Sequence, residues 1–202
     1  MSDEALALDI ERIITDSDLD GVVTGAILRR WWPNTEIKFG HPGDLRAGMM
    51  DHLINRKTAI CDLPRHMNCG LSIDHHQSNE PDDEVNSEMV VLWEPTPSAA
   101  RIAYNLLKDK VDLTDLTDMM VWVDKLDGGT ITIEEFMGDN PVLWLGRIIG
   151  SDENIAKKIL ENLQNKISVE DILLIPEIND RLEERRDKQA SLRKDISENI
   201  EI

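Results

Sequence analysis

Leu71-Ser72-Ile73-Asp74-His75-His76 carries a short apolar run straight into an acid and two imidazoles. Two other segments end in the same way. Ile13-Ile14-Thr15 leads into Asp16-Ser17-Asp18-Leu19-Asp20-Gly21, and Ala59-Ile60-Cys61 leads into Asp62. Apolar runs of this length, bounded by polar turns, read as buried strands. In an open α/β sheet the ligand crevice lies beyond the carboxyl ends of the parallel strands. Strands that each end in an acid or an imidazole therefore bring residues distant in sequence to one place. The repetition predicts both a parallel sheet and a site at its edge.

Outward from these segments the chain alternates. Residues 11–15 read as a strand, Val22 to Trp32 as a helix stopped by Pro33, Glu36 to Phe39 as a strand and Leu45 to Ile54 as a helix. Lys57 to Cys61 and Leu71 to Ile73 are strands, followed by a polar loop from Gln77 to Ser87 and a strand from Met89 to Trp93. Beyond that the pattern is helical: Pro97-Ser98 to Leu107, Leu113 to Val123, Pro141 to Ile149, Glu153 to Asn165 and Val169 to Ile175. The expected fold is α/β, a mainly parallel sheet flanked by helices and followed by a helical half, with residues 1–175 as one domain. Residues 176–202 are polar and helical, with Glu184 and Lys188 spaced for an i,i+4 pair. Leu182, Leu192, Ile196 and Ile200 are too few for a second core, so this segment reads as a linker or docking helix. Its expected partner is a second subunit, as in a homodimer, or a substrate domain absent from the chain. Arg185, Arg186 and Lys188 form a basic group there that either reaches a phosphate or pairs with Glu183, Glu184 and Asp187.

Composition bounds the function. The 202 residues suffice for one sizeable core, and 41% are hydrophobic. No apolar run approaches the length of a membrane span, and Met1-Ser2-Asp3-Glu4 lacks the basic start of a signal peptide. With Cys61 and Cys69 as its cysteines, the chain reads as cytoplasmic. Its 22 basic and 40 acidic residues leave a net charge of −18, which repels a long nucleic acid but not a short phosphate ester.

Other chemistries compete for the same residues. Asp16-x-Asp18-x-Asp20-Gly21 opens like an EF-hand calcium loop, but its twelfth position is Ile27 where a bidentate Glu is needed, and a strand precedes it. Helix capping explains one aspartate of this segment and not the set. Cys61, His66, Cys69 and His75 match no common zinc spacing. An Asp before Pro64, such as Asp62, is often a turn residue, and His75-His76 alone would read as a surface pair; their company at successive strand ends argues otherwise.

Taken together, these segments resemble the DHH phosphoesterase superfamily, which includes RecJ-type exonucleases, nano-RNases, cyclic-dinucleotide phosphodiesterases and manganese pyrophosphatases. Asp16-Ser17-Asp18-Leu19-Asp20-Gly21 resembles its first motif, Cys61-Asp62 its second and Asp74-His75-His76 its third; Thr96-Pro97-Ser98-Ala99-Ala100 resembles a further family stretch. Val121-Trp122-Val123-Asp124 is the leading match to a fourth motif, with Asp127 second. Many members carry a His where this chain has Asp16, and the Gly-Gly-His motif of the second domain is not found. The resemblance implies two divalent cations, manganese with magnesium as substitute, held by Asp16, Asp18, Asp20, Asp62, His75 and Asp124. Asp62 would bridge them, His76 would contact the scissile phosphate or protonate the leaving oxygen, and Asp74 would orient the imidazoles. The implied substrates are short oligonucleotides or small nucleotides. The alternatives are a pyrophosphatase or exopolyphosphatase, and an inactive nucleotide- or partner-binding module.

Overall fold

Ile13 and Ile14 are adjacent and both fully buried, which requires a strand with apolar layers on both faces. In the computed structural model, which describes residues 2–81, 88–150 and 152–199, they lie on β1 (Arg12–Thr15). With β2 (Glu36–Phe39), β3 (Thr58–Cys61), β4 (Leu71–Asp74) and β5 (Val90–Trp93) it forms a five-stranded sheet in the order β2-β1-β3-β4-β5. Every pairing is parallel. The chain leaves β1 toward one edge for β2, then returns past β1 to β3. The loops that follow β1 and β3 therefore flank a topological switch point, where an open α/β sheet has its crevice.

The helices are α1 (Ser2–Leu6), α2 (Leu19–Trp31), α3 (Pro42–Arg46), α4 (Ala99–Leu107), α5 (Thr117–Asp127), α6 (Ile133–Met137), α7 (Pro141–Ile149), α8 (Glu153–Gln164), α9 (Val169–Leu173) and α10 (Pro176–Asn199). Ile13, Ala59, Cys61, Leu71 and Ile73 pack toward α2, α4 and α8, the thick layer that carries most of the core. Ile14 and Ile60 face a thinner layer with Leu45, Met50, Ile54 and Leu63.

That thin layer departs from the expected helix over Leu45 to Ile54. It consists of α3, a turn with Gly48 at φ +71°, and a 3-10 turn over Asp51–Leu53. Leu45, Met50 and Ile54 are all buried, and their near-helical spacing produced the expectation; the left-handed Gly48 breaks the helix between them. α1 and α6 are additional to the helices expected from sequence. The second starts at a capping box between Thr132 and Glu135, which is legible in sequence.

The polar loop after His76 begins with a 3-10 turn, Gln77–Asn79, and its residues 82–87 lie outside those described. On α10, Ile178 and Leu182 are buried against the chain's own α7 and α9, so Pro176 is no break in packing, while Leu192 is exposed. Glu184 pairs with Arg181 rather than with Lys188. The side chain of Ile196, and Ile200 altogether, lie outside the described residues. No helix among the described residues is long and apolar enough to cross a membrane.

Candidate metal centre

Each strand end delivers its acid by a different local device. After β1, Asp18 caps α2, accepting from the Gly21 amide at 2.9 Å, and Asp20 follows in the first helical turn. Asp20 is buried, and its two oxygens accept from the Ala99 and Ala100 amides, each at 2.7 Å. Those amides open α4, whose first turn is capped by Ser98. The Ser98-Ala99-Ala100 stretch thus anchors an acid 79 residues upstream, through donors that a helix N-terminus always leaves over. After β3, Asp62 takes a left-handed conformation, φ +56°, while its amide still donates to Ile73 at 2.8 Å. The strand pairing therefore continues as the side chain swings into the crevice.

At the end of β4, Asp74 organises the turn. Its Oδ1 accepts from the amides of His75 at 2.8 Å and His76 at 3.1 Å and lies 2.8 Å from His76 Nδ1; its Oδ2 accepts from Asn79 at 2.6 Å. The His75 ring is fixed differently. Its Nδ1 lies 3.1 Å from the Thr96 carbonyl oxygen, which can only accept, so Nδ1 carries the proton. In the neutral ring the lone pair is then on Nε2. That nitrogen lies 2.9 Å from Asp127 Oδ2, 3.6 Å from Asp20 Oδ2 and 3.7 Å from Asp62 Oδ1. His75 Nε2 and Asp62 Oδ1 are both buried and make no hydrogen bond. A lone pair facing three carboxylates is repulsive unless a positive charge, proton or cation, sits among them.

The electrostatics point the same way. Burial, together with the charges of Asp127 and Asp18, raises the pKa of Asp20 to about 7 against the Ala100 and Ala99 amides. Burial, then Asp20, hold the Asp62 carboxyl well above its usual value. Burial lowers the pKa of His75, but the carboxylates of Asp127, Asp62 and Asp20 outweigh it and push it up to about 11. His76 is raised chiefly by Asp74. Two overlapping ligand sets emerge, Asp20-His75-Asp127 and Asp62-His75-His76, each with donor atoms within 4.8 Å of one another. Carboxylates mixed with imidazole suit a divalent cation.

The residues singled out in sequence divide. Asp20, Asp62, His75 and His76 converge, and Asp18 stands beside Asp62 and Asp127 at the rim. Asp16 is half-buried behind that rim, accepting from the Ser17 amide at 2.6 Å and within electrostatic reach of His41 and His76. Asp74 positions and does not converge. Asp124 is turned away, engaged by Ser98 Oγ at 2.7 Å and by the Arg101 guanidinium at 2.9 Å. The acid that reaches His75 is Asp127, one turn further along α5. The Thr96 carbonyl and the Ala99 and Ala100 amides had no sequence signal beyond lying in the Thr96–Ala100 stretch.

No family model matches the chain, and no curated protein matches it. Among solved structures it is similar to a pGpG-specific phosphodiesterase, PggH from Vibrio cholerae, with 23% identity and a TM-score of 0.80 over 95% of this chain and 65% of that one. It is also similar to exonuclease RecJ bound to manganese, with 16% identity and a TM-score of 0.52 over 96% and 68% of the two chains. An uncharacterized protein from Helicobacter pylori G27 gives 13% identity and a TM-score of 0.51 over 87% and 61%. The chain thus spans less than two thirds of the phosphodiesterase and of the Helicobacter protein. With Asp74-His75-His76 following the fourth strand of a parallel sheet ordered β2-β1-β3-β4-β5, the chain shares the fold of the pGpG-specific phosphodiesterase and of RecJ.

Proposed function

We propose that the protein is a divalent-metal-dependent phosphoesterase acting on short oligonucleotides or small nucleotides. The observation that carries this reading is the buried Nε2 of His75, aimed at three carboxylates at once, 2.9 Å from Asp127, 3.6 Å from Asp20 and 3.7 Å from Asp62. In this reading Asp20, Asp127 and His75 hold one cation, and Asp62 faces a second, with Asp18 at the rim. Asp127 takes the role for which Asp124 was the leading candidate, since its carboxylate is the one that reaches His75. When bound, such cations supply Lewis acidity toward phosphoryl oxygens and lower the pKa of water enough for attack on phosphorus.

The chain's own groups supply the rest. Asp20 spends one lone pair of each oxygen on the α4 amides and keeps the others for a ligand, so its orientation is set before anything binds. Asp74 holds the Nδ1 side of His76, leaving Nε2 of that exposed ring outward. Since Asp74 raises its pKa, His76 is the group to hold a proton toward a phosphate or a leaving oxygen. The test is a panel of short RNA, short single-stranded DNA, a phosphoadenosine phosphate, a cyclic dinucleotide and pyrophosphate, each with Mn2+ and with EDTA. Turnover of a nucleotide that EDTA abolishes is expected; turnover of pyrophosphate alone, or of nothing, would overturn the reading.

A further inference from the structure

In a chain of net charge −18, cations that line a cavity without forming an ion pair are candidates to hold an anion. On α10, Arg181 pairs with Asp152 and Glu184, and Arg186 with Asp139 and Glu183. Arg185 and Lys188, three residues apart and so on one face, form no ion pair among the described residues. Both line a cavity of about 260 Å³ with Phe136, Trp144, Arg147 and Leu192. Phe136 and Arg147 are also walls of a second cavity, of about 250 Å³, lined by Leu19 and Leu126 and reaching Asp18, Asp20 and Asp127. The two cavities meet across this pair of residues and run from the candidate metal ligands to α10.

The shared wall is stiff. The Arg147 guanidinium carbon lies 5.0 Å from the Phe136 ring centre and 4.4 Å from that of Trp144, and its Nη2 donates to the Phe136 carbonyl. Arg186 stacks on Trp144 as well, at 5.1 Å. Phe136 is nevertheless 46% exposed, an aromatic face that the fold leaves accessible beside the acids. Each cavity falls below the roughly 300–1,000 Å³ of a pocket for a whole drug-sized ligand, so each fits one unit of a larger molecule.

We propose that this track binds the second nucleotide of a short single-stranded oligonucleotide. With one phosphate at the metal ligands, a base lies in the inner cavity against Phe136, and the next phosphate sits over Arg185 and Lys188. The proposal rests on the phosphoesterase reading above for the position of the first phosphate. Base-on-aromatic stacking tolerates any sequence, because every base has a π-face, and Arg185 and Lys188 supply the backbone contact. It also explains how so acidic a chain admits a nucleic acid at all: only a segment short enough to stay within this track escapes the surrounding negative field.

The test compares the full chain with R185E/K188E and F136A variants, whose changes fall on exposed side chains and leave the core intact. Anisotropy of a fluorescein-labelled trinucleotide in Ca2+ reads binding. Mn2+-dependent hydrolysis of bis-p-nitrophenyl phosphate, which has no second nucleotide, reads the catalytic site separately. Each variant is expected to weaken trinucleotide binding by about tenfold or more, and the charge reversal to flatten the slope of log K against log salt by about 0.7. Trinucleotide affinity that is the same in all three proteins, or undetectable in the wild type, would overturn the track. Failure of the wild type to hydrolyse the small diester would instead overturn the catalytic reading, and the binding arm would still decide the track. Sensitivity to R185E/K188E without sensitivity to F136A would show a bare anion site and sink the base-stacking half of the proposal.

Discussion

Gly21→Ala should disable the site at modest cost to the fold. Gly21 lies in the first turn of α2, its amide donating to Asp18 Oδ1 at 2.9 Å and its carbonyl accepting from Thr15 Oγ1 at 2.9 Å. A Cβ there would stand 2.2 Å from the Asp16 carbonyl oxygen, more than 1 Å inside ordinary contact, and 2.8 and 2.9 Å from the carbon and nitrogen of the same residue. The obstacle is backbone and cannot rotate aside, and the strand behind it is pinned between β2 and β3. The Asp16–Asp18 loop must therefore move outward. Overpacking costs about 1–3 kcal/mol, from which the better helix propensity of Ala returns up to about 1. A displacement of about 1 Å in a positioning loop is worth roughly 10²-fold in rate. The comparison is Gly25→Ala in the same helix, whose Cβ meets the flexible Leu160 Cδ1 at 2.7 Å. Thermal unfolding, calorimetric Mn2+ affinity and kcat/KM should show both variants mildly destabilised, but only Gly21→Ala impaired in metal binding and turnover. A Gly21→Ala protein with wild-type Mn2+ affinity would refute the argument that this contact sets the loop.

Asp127→Ala should abolish Mn2+ affinity by calorimetry, whereas Asp124→Ala should lower stability by about 1–3 kcal/mol through the orphaned Arg101 and leave the metal largely in place; the reverse pattern would restore Asp124 as ligand. Asp62→Asn should remove Mn2+ binding yet raise the melting temperature in EDTA, because it takes a charge from a buried cluster. His76→Ala should keep the metal and slow turnover by about 10²–10⁴-fold, and equal metal loss in these two variants would show the roles misassigned. Without divalent ions, stability should fall as pH rises. The native Asp20, at about 7 against a usual 3.8, binds more protons than the unfolded chain across that window, and His75, raised to about 11, likewise loses its stabilising proton as pH climbs through that value. Unfolding temperatures in EDTA between pH 5 and 8 check the sign, each group contributing a slope of up to about 1.4 kcal/mol per pH unit; saturating Mn2+ should remove the trend.

β1, β3 and β4 were legible because they are buried on both faces, so each is a short, largely apolar run that ends at or just before an acid. The helical layer was less so. Leu45, Met50 and Ile54 carry a near-helical spacing across a turn that only the left-handed Gly48 reveals. Choosing between Asp124 and Asp127 required the rotation of α5, set by how Met119, Met120 and Val123 bury against the core. That is a tertiary fact with no local signature. The anchoring of Asp20 by backbone amides was equally invisible, since amides carry no residue identity. Arg185 and Lys188 looked like any solvated helix charges until their neighbours on α10 were seen to have taken the nearby carboxylates.

The left-handed backbone of Asp62 narrows what evolution can write at this position. A positive φ is comfortable for Gly and tolerable for Asn and Asp, and it penalises nearly everything else. Only Asp in that group offers an anionic oxygen, so the demands of the turn and of the ligand intersect in one residue type. Glu would bring the charge and resist the turn, while Ala would lose both. A descendant that has abandoned the chemistry is thus expected to carry Asn or Gly here, a substitution that reads as conservative while marking the loss of the enzyme.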